Sequence, residues 1–444
     1  MRLADERIHG LDAVRAFALL IGVAMHVVGP WLENLPDATF REAPSATAAA
    51  IWFFPHIFRM PVFFLVAGYF GRLLAERYET RQFIKDRAKR IALPLAFGFV
   101  ITALMGLALA LGALASGMSF AEVTALVQAQ REQIATAGDA NGGLGRVTLG
   151  HLWFLYYLLL FYGVALISRG AARAVDREGK ALSSIDRVLR FFMRTGLAAV
   201  VFALPVAAWY VFMWPDWAHW QGLPTPQSLI PNVPAVLVFG LSFAVGWLLH
   251  RQTHLLLQLR NRWVAYSLAA IAFAVACYLI AGPTPQWSPH LSGWKLPIYA
   301  VTYLLATWCA SFALIAVALR FLSGASPVRR YVADSSYWIY LMHPVPILFF
   351  MLLLRPLAWH WSVKFLITLT ASVLLLLLAY HAFVRSTFIG ATLNGRRRPR
   401  RVAGGHPNRK RLFLNRPKGP EIPQSSRRSS AGASGVDTEY QTTE

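Results

Sequence analysis

Ten long apolar runs constrain this chain more than any other feature. A run of about 18 or more apolar residues crosses a hydrocarbon core of roughly 30 Å as a helix. A helix is the expected form because backbone N–H and C=O groups find no water to bond in that layer. The runs predict spans near 11–31, 51–74, 91–116, 149–168, 193–214, 231–250, 262–281, 297–320, 336–354 and 362–384. Composition agrees. Of the 444 residues, 56% are hydrophobic and only 14% are Asp, Glu, Lys or Arg, against about a quarter charged in a soluble domain. The expected fold is all-α, a polytopic membrane helical bundle of about ten transmembrane helices.

The net charge is +22. In a soluble protein such an excess points to nucleic acid, but here the cations fall in the connections and predict topology instead. The 2–3 connection holds Arg72, Arg77, Arg81, Lys85, Arg87, Lys89 and Arg90, and the 4–5, 6–7 and 8–9 connections are also basic. Alternate connections are poor in cations: 32–50 has only Arg41, and 215–230 has none. Both termini are therefore expected on the cytoplasmic side of a bacterial inner (plasma) membrane crossed many times. Trp31, Trp52, Trp214, Trp217, Trp287, Trp294, Trp359 and Trp361 gather at the opposite ends, as an interfacial belt would. No nucleic-acid partner is expected.

Two organisational units are expected: a membrane domain over 1–390 and a basic, disordered cytoplasmic tail over 391–444. In the tail, Arg396, Arg397, Arg398, Arg400 and Arg401 would meet anionic membrane lipids. The largest outside loop is 117–148, punctuated by Gly138 and the glycines of 142–145. The first apolar run is long enough to span and lacks a small-residue cleavage site, so it reads as a span, not a signal peptide. Cys277 and Cys309 lie within apolar runs and suggest neither a disulfide framework nor a thiolate metal site.

Polar residues inside spans are expensive and mark function by default. Arg15 and His26 share the first span, and eleven residues is close to three helical turns, so both fall on one face roughly 16 Å apart. His56 and Arg59, one turn apart, are read as opening the second span at its outer end. His151 opens the fourth span, and Tyr340 and His343 lie one turn apart near the middle of the ninth. These residues predict a polar cavity. No HExxH, His-x₃-His or adjacent carboxylate supports a metal site, and no Gly-x-Ser-x-Gly elbow supports a serine nucleophile. Asp334 is read as the N-cap of the ninth helix. Histidine offers instead a general base suited to taking a proton from a hydroxyl. Arg87-x-x-Arg90 would set two guanidinium groups on one face at the N-terminus of the third span, a phosphate-binding arrangement as well as a plain positive-inside run.

The run Leu11-Asp12-Ala13-Val14-Arg15 with His26, followed by Phe63-Phe64-Leu65-Val66-Ala67-Gly68-Tyr69 and Arg87-x-x-Arg90, resembles the membrane acyltransferase 3 family. Its glucan-succinylating branch is matched further by His56-Ile57-Phe58-Arg59-Met60-Pro61, His151-Leu152-Trp153-Phe154-Leu155 and Ile339-Tyr340-Leu341-Met342-His343-Pro344. The resemblance covers about 8–385. One departure is Met342, where that branch usually carries a second histidine before His343-Pro344. The resemblance implies an acyltransferase, moving succinyl or acetyl from a cytoplasmic acyl-CoA co-substrate to hydroxyls of a periplasmic glucan or other envelope glycan, with no bound cofactor. It implies His26 and Arg15 as catalytic, His26 being general base or transient acyl carrier. Arg87 and Arg90 would bind acyl-CoA, and His56, Arg59, His151, Tyr340 and His343 would shape the acceptor site or steady the oxyanion. A succinyl carboxylate would want an extra cation, for which Arg59 is available. A transporter or lipid flippase with a histidine-lined path is the alternative, and it would show broken helices in two corresponding halves. A membrane-embedded sensor would need an output domain that the irregular tail does not offer.

Overall fold

The computed structural model describes residues 9–33, 42–115, 117–125, 128, 148–217 and 219–394. Among these the protein is helical, and the β pairing is one isolated bridge between Thr148 and Ser228. The helices are α1 (His9–Val28), α2 (Ala46–Arg77), α3 (Thr80–Arg87), α4 (Leu93–Ala115), α5 (Trp153–Val175), α6 (Lys180–Thr195), α7 (Ala198–Met213) and α8 (Val233–Arg251). They continue as α9 (Leu255–Asn261), α10 (Trp263–Ala281), α11 (Lys295–Phe321), α12 (Pro327–Met342), α13 (Pro344–Leu354), α14 (Trp361–Ala379) and α15 (Phe388–Asn394). Eight helical segments are long and apolar enough to cross a membrane, and ten spans result when two bent pairs, α6–α7 and α12–α13, count as one each. The all-α polytopic bundle expected from the apolar runs is the observed fold.

Large apolar side chains left outside the packing form stripes at helical spacing. On α4 these are Leu93, Phe97, Val100, Leu104, Leu107 and Leu111, and on α10 Val264, Leu268, Ile271, Val275 and Leu279. Water would penalise such stripes, whereas lipid tails do not. The interior is built on α1, α2, α8 and α11. Helix α2 makes its most extensive contact with α8, and α1 packs against α2, α11 and α12. Glycine makes the α2–α8 contact possible. A Cβ on Gly68 would stand 2.0 Å from the Phe243 carbonyl oxygen, and one on Gly246 1.8 Å from that of Leu65. The two backbones touch there directly.

Breaks fall where proline or glycine dictates. Pro61 lies inside α2 and cannot donate to the Ile57 carbonyl. The Thr307 hydroxyl of α11 lies 3.0 Å from that carbonyl and 2.9 Å from the Tyr303 carbonyl of its own helix, so it is shared between them. Gly196 takes a φ of +86° at the end of α6, and α7 leaves at 110°. The chain predicted as one span over 193–214 thus begins at Ala198, because the left-handed residue ends the preceding helix. Helix α6 is amphipathic and is tied to the end of α8: Asp186 receives Arg251 in a forked pair at 2.6 and 2.9 Å, and Arg190 Nε donates to Gln252 at 2.9 Å.

Four further expectations are corrected. The helix before His343 starts at Pro327 and is capped by Ser326, whose Oγ accepts from Arg329 N–H, so Asp334 lies within the helix and is not its N-cap. The ninth span is broken by 66° at His343. His56 lies ten residues into α2, whose helix starts at Ala46, rather than at the opening of the span. The tryptophan belt divides: Trp294 and Trp359 are exposed, but Trp31 and Trp217 are buried in interhelical packing. Most of the 117–148 loop, including Gly138 and 142–145, and the tail from 395 lie outside the described residues.

Candidate active site

Helix α1 supplies the axis of the site. Arg15, Leu19, Gly22 and His26 succeed one another at three- and four-residue steps, with Ala18 beside them, and all line one cavity of about 1490 Å³. The one-face relation expected of Arg15 and His26 is what the straight run of α1 produces. The other predicted residues, His56, Arg59, Arg87, Arg90, His151, Tyr340 and His343, line this same cavity. It reaches from Arg15, Arg87 and Arg90 at one end to Trp52, Trp214 and Trp287 at the other.

At the arginine end, Arg87 and Arg90 share one carboxylate. Asp86 forms a close pair with Arg87 and meets Arg90 Nε at 2.9 Å. The Arg87 guanidinium also lies 5.6 Å from the Phe83 ring and 5.5 Å from that of Tyr162. The expected helix N-terminus is not there. The chain is already helical from Thr80 and passes through a π turn at Ala88–Ala92 into α4. The macrodipole contribution predicted for this pair therefore does not apply. The turn leaves the Arg90 carbonyl to accept from the Tyr337 hydroxyl at 2.6 Å, which fastens the arginine segment to α12. Arg15 stands 3.6 Å from Asp12.

Midway, three imidazoles converge. The His26 ring lies 4.9 Å from that of His343, and His343 lies 5.3 Å from His151, centroid to centroid. His26 is exposed, and what it is exposed to is the cavity. The others are oriented by backbone carbonyls. His343 Nδ1 bonds the Tyr340 carbonyl at 2.8 Å, His56 Nε2 that of Leu223 at 2.8 Å, and His151 Nε2 that of Leu341 at 3.3 Å. A carbonyl only accepts, so each of these nitrogens carries the proton and the opposite nitrogen is left as an acceptor. In His343 and His56 that opposite nitrogen, Nε2 and Nδ1 respectively, is buried without a partner. The Tyr340 hydroxyl donates to the His151 carbonyl at 2.6 Å, tying the segment before α5 to α12. The Arg59 guanidinium rests against Gly22, whose added Cβ would fall 2.4 Å from Nη1. Among the described residues no group of three or more His, Cys, Asp or Glu has the arrangement of a metal site.

Sequence reasoning missed the far rim of the cavity and a buried charge. The rim includes His219, Gln221, Thr225, Gln227 and Ser228 from the connection before α8, polar residues without a periodic signal. Leu149 N–H donates to the Gln227 carbonyl at 2.6 Å and holds that connection near His151. Lys364 is buried in the last span, with Nζ 2.9 and 3.0 Å from the Glu42 carboxylate. That carboxylate also accepts from Trp31 Nε1 at 3.1 Å. A charge inside an apolar run was the available signal.

The arrangement offers cations at one end, acceptor nitrogens at the middle and an aromatic, polar rim beyond. The family model described as Acyltransferase domain, the acyltransferase 3 family, matches residues 8–381. Among curated proteins, "Glucans biosynthesis protein C" of Escherichia coli (strain SMS-3-5 / SECEC) is 33% identical over 90 residues, 20% of this chain and 23% of that protein. The protein of that name from Shigella dysenteriae serotype 1 (strain Sd197) is 30% identical over 95 residues, 20% of this chain and 23% of its own length. The one from Salmonella schwarzengrund (strain CVM19633) is 26% identical over 163 residues, 35% of this chain and 37% of its own length. The matched stretches thus span about a quarter to a third of these relatives. No solved structure matches the chain. The family match covers nearly the whole helical bundle and all nine of the cavity residues singled out above, so the chain, with eight to ten helical segments long and apolar enough to cross a membrane, belongs to the acyltransferase 3 family.

Proposed function

We propose that this acyltransferase takes a succinyl or acetyl group from acyl-CoA on the cytoplasmic side and delivers it to a glycan hydroxyl on the periplasmic side of the inner membrane. The observation that carries the reading is the single cavity that joins Arg15, Arg87 and Arg90 to the three converging imidazoles. CoA bears several phosphate charges, and arginine forks suit phosphate. The positive-inside rule puts that end, and both termini, in the cytoplasm. The acyl-bearing arm of CoA would then lie along the cavity with its thioester near His26. Here His26 takes the proton of the acceptor hydroxyl as its oxygen attacks the thioester carbonyl. The acyl C–O bond forms, the C–S bond breaks, and the proton finishes on the departing CoA thiolate. The free acceptor nitrogens of the oriented histidines receive hydrogen bonds from hydroxyls of the acceptor and so hold it beside His26. Support for a glycan acceptor comes from the relatives' printed name and from the polar, tryptophan-bearing rim.

Mass spectrometry of periplasmic and envelope glycans from a strain lacking this protein, with and without complementation, tests the reading. The expected result is loss of a succinyl or acetyl ester increment from one glycan and its return on complementation. Unchanged glycan masses in both strains would overturn the proposed acceptor class. The transporter alternative gains one discontinuous span at His343. The other bent pair, α6–α7, is the fifth of the ten spans and so does not occupy the place in the first five that the ninth holds in the last five. Solute uptake by vesicles without acyl-CoA is what that alternative requires.

A further inference from the structure

Four arginines line the cavity, and among its described lining residues there is no Asp or Glu. Three of the four have carboxylates beside them in the protein: Arg15 has Asp12, while Arg87 and Arg90 share Asp86. Arg59 differs. Its Nε is buried without a hydrogen-bond partner, and among the described residues no carboxylate pairs with it. A guanidinium stays charged at any physiological pH, and holding it unpaired within the apolar layer is costly. Side chains that face the same space, namely His26 of α1, Tyr340 of α12, His343 at the α12–α13 break and His151 just before α5, supply imidazoles and a phenol but no anion.

Gly22 fixes where this charge sits. It lies one helical turn before His26, and only its missing side chain leaves room for Arg59 Nη1. Helical side chains lean toward the N-terminus, so the His26 ring lies over the turn that the guanidinium contacts. The lateral separation is of the order of one helical turn, about 5 Å. The two carbonyl carbons of a four-carbon diacid lie about 4 Å apart when extended, from ordinary C–C bond lengths. A thioester carbon held at His26 would thus put a terminal carboxylate within reach of Arg59.

We infer that Arg59 is the counter-charge for the acyl group itself, binding the free carboxylate of a dicarboxylic acyl donor and selecting it over uncharged acyl groups. This rests on the proposed transfer from acyl-CoA. The substrate's carboxylate supplies the anion that the protein withholds, and an uncharged acyl group leaves the arginine unpaired. Discrimination of this kind arises when a buried polar group loses its partner with the wrong substrate. The transfer is otherwise unchanged: the C–S bond breaks, the ester C–O bond forms, and the carboxylate is a spectator.

The test compares three donors on the purified full-length protein in lipid vesicles: succinyl-CoA, acetyl-CoA and butanoyl-CoA, the last matching succinyl in chain length without its carboxylate. The wild type should use succinyl-CoA at least tenfold better than the other two. In Arg59→Gln the ratio of succinyl to butanoyl rates should fall by on the order of 30-fold, the scale of a lost charge-assisted hydrogen bond. Arg59→Lys should keep part of the preference, which separates lost charge from lost fold. Equal loss with all three donors in Arg59→Gln would overturn the inference and make Arg59 a residue of the common step. A wild type indifferent to the carboxylate would overturn it too, leaving acyl transfer standing. Failure with every acyl-CoA would instead remove the donor reading on which it rests.

Discussion

Pro344 withholds an N–H from the Tyr340 carbonyl, and His343 Nδ1 takes the vacant place at 2.8 Å. A residue that breaks a helix thereby sets the tautomer of its neighbour and leaves Nε2 as the free acceptor. His26 lines the cavity, and in the proposed reaction it is the base. His26→Ala should lower acyl transfer by about 10²–10⁴-fold, the usual contribution of a general base, while membrane insertion and extraction behaviour stay as in the wild type. Activity within tenfold of wild type, measured as CoA thiol released with acceptor present, would take the base role from His26. At this scale much was readable in advance. Eleven residues between Arg15 and His26 are nearly three turns whatever the surroundings, so their common face needed no tertiary information. The convergence of His151 and His343 with His26 on a polar cavity was expected from the histidines of four spans, but its detailed geometry was not readable. It depends on long-range bonds such as Tyr340 to the His151 carbonyl, which leave no periodic trace.

Between elements, α2 and α8 cross in direct backbone contact at Gly68 and Gly246. Both added Cβ atoms would meet carbonyl oxygens at 2.0 Å or less, and backbone cannot swing aside as a side chain does. Gly246→Ala should cost more than the usual overpacking penalty of about 1–3 kcal/mol, because the helices must separate. The expected reading is a lower thermal midpoint in detergent and less folded protein recovered. Gly163→Ala, with no atom within 4 Å of its added Cβ, should match the wild type, and equal behaviour of the two variants would contradict the contact. Helix existence was legible because apolar length alone forces it. Helix ends were less so: the apolar residues Phe191, Phe192 and Met193 precede the Gly196 turn as if one span continued, and hydropathy does not register a φ of +86°. The π turn at Ala88–Ala92 was hidden for the same reason, and with it the true setting of Arg87 and Arg90.

Across the whole molecule, one cavity connects the cation-rich end to the imidazoles and to the aromatic rim, and this continuity is what makes a transfer between compartments physically reasonable. In the proposed orientation, expected from the charge asymmetry of the connections, the arginine end faces the cytoplasm, and the site residues would divide into a donor side and an acceptor side of His26. The most direct measurement uses sealed membrane vesicles of both orientations, with the glycan acceptor enclosed and radiolabelled acyl-CoA added outside. Inside-out vesicles, which present the arginine end to the added donor, should accumulate acyl ester on the enclosed glycan, and right-side-out vesicles should not. Labelling in right-side-out vesicles alone, or only when donor and acceptor share one compartment, would contradict transfer through the bundle.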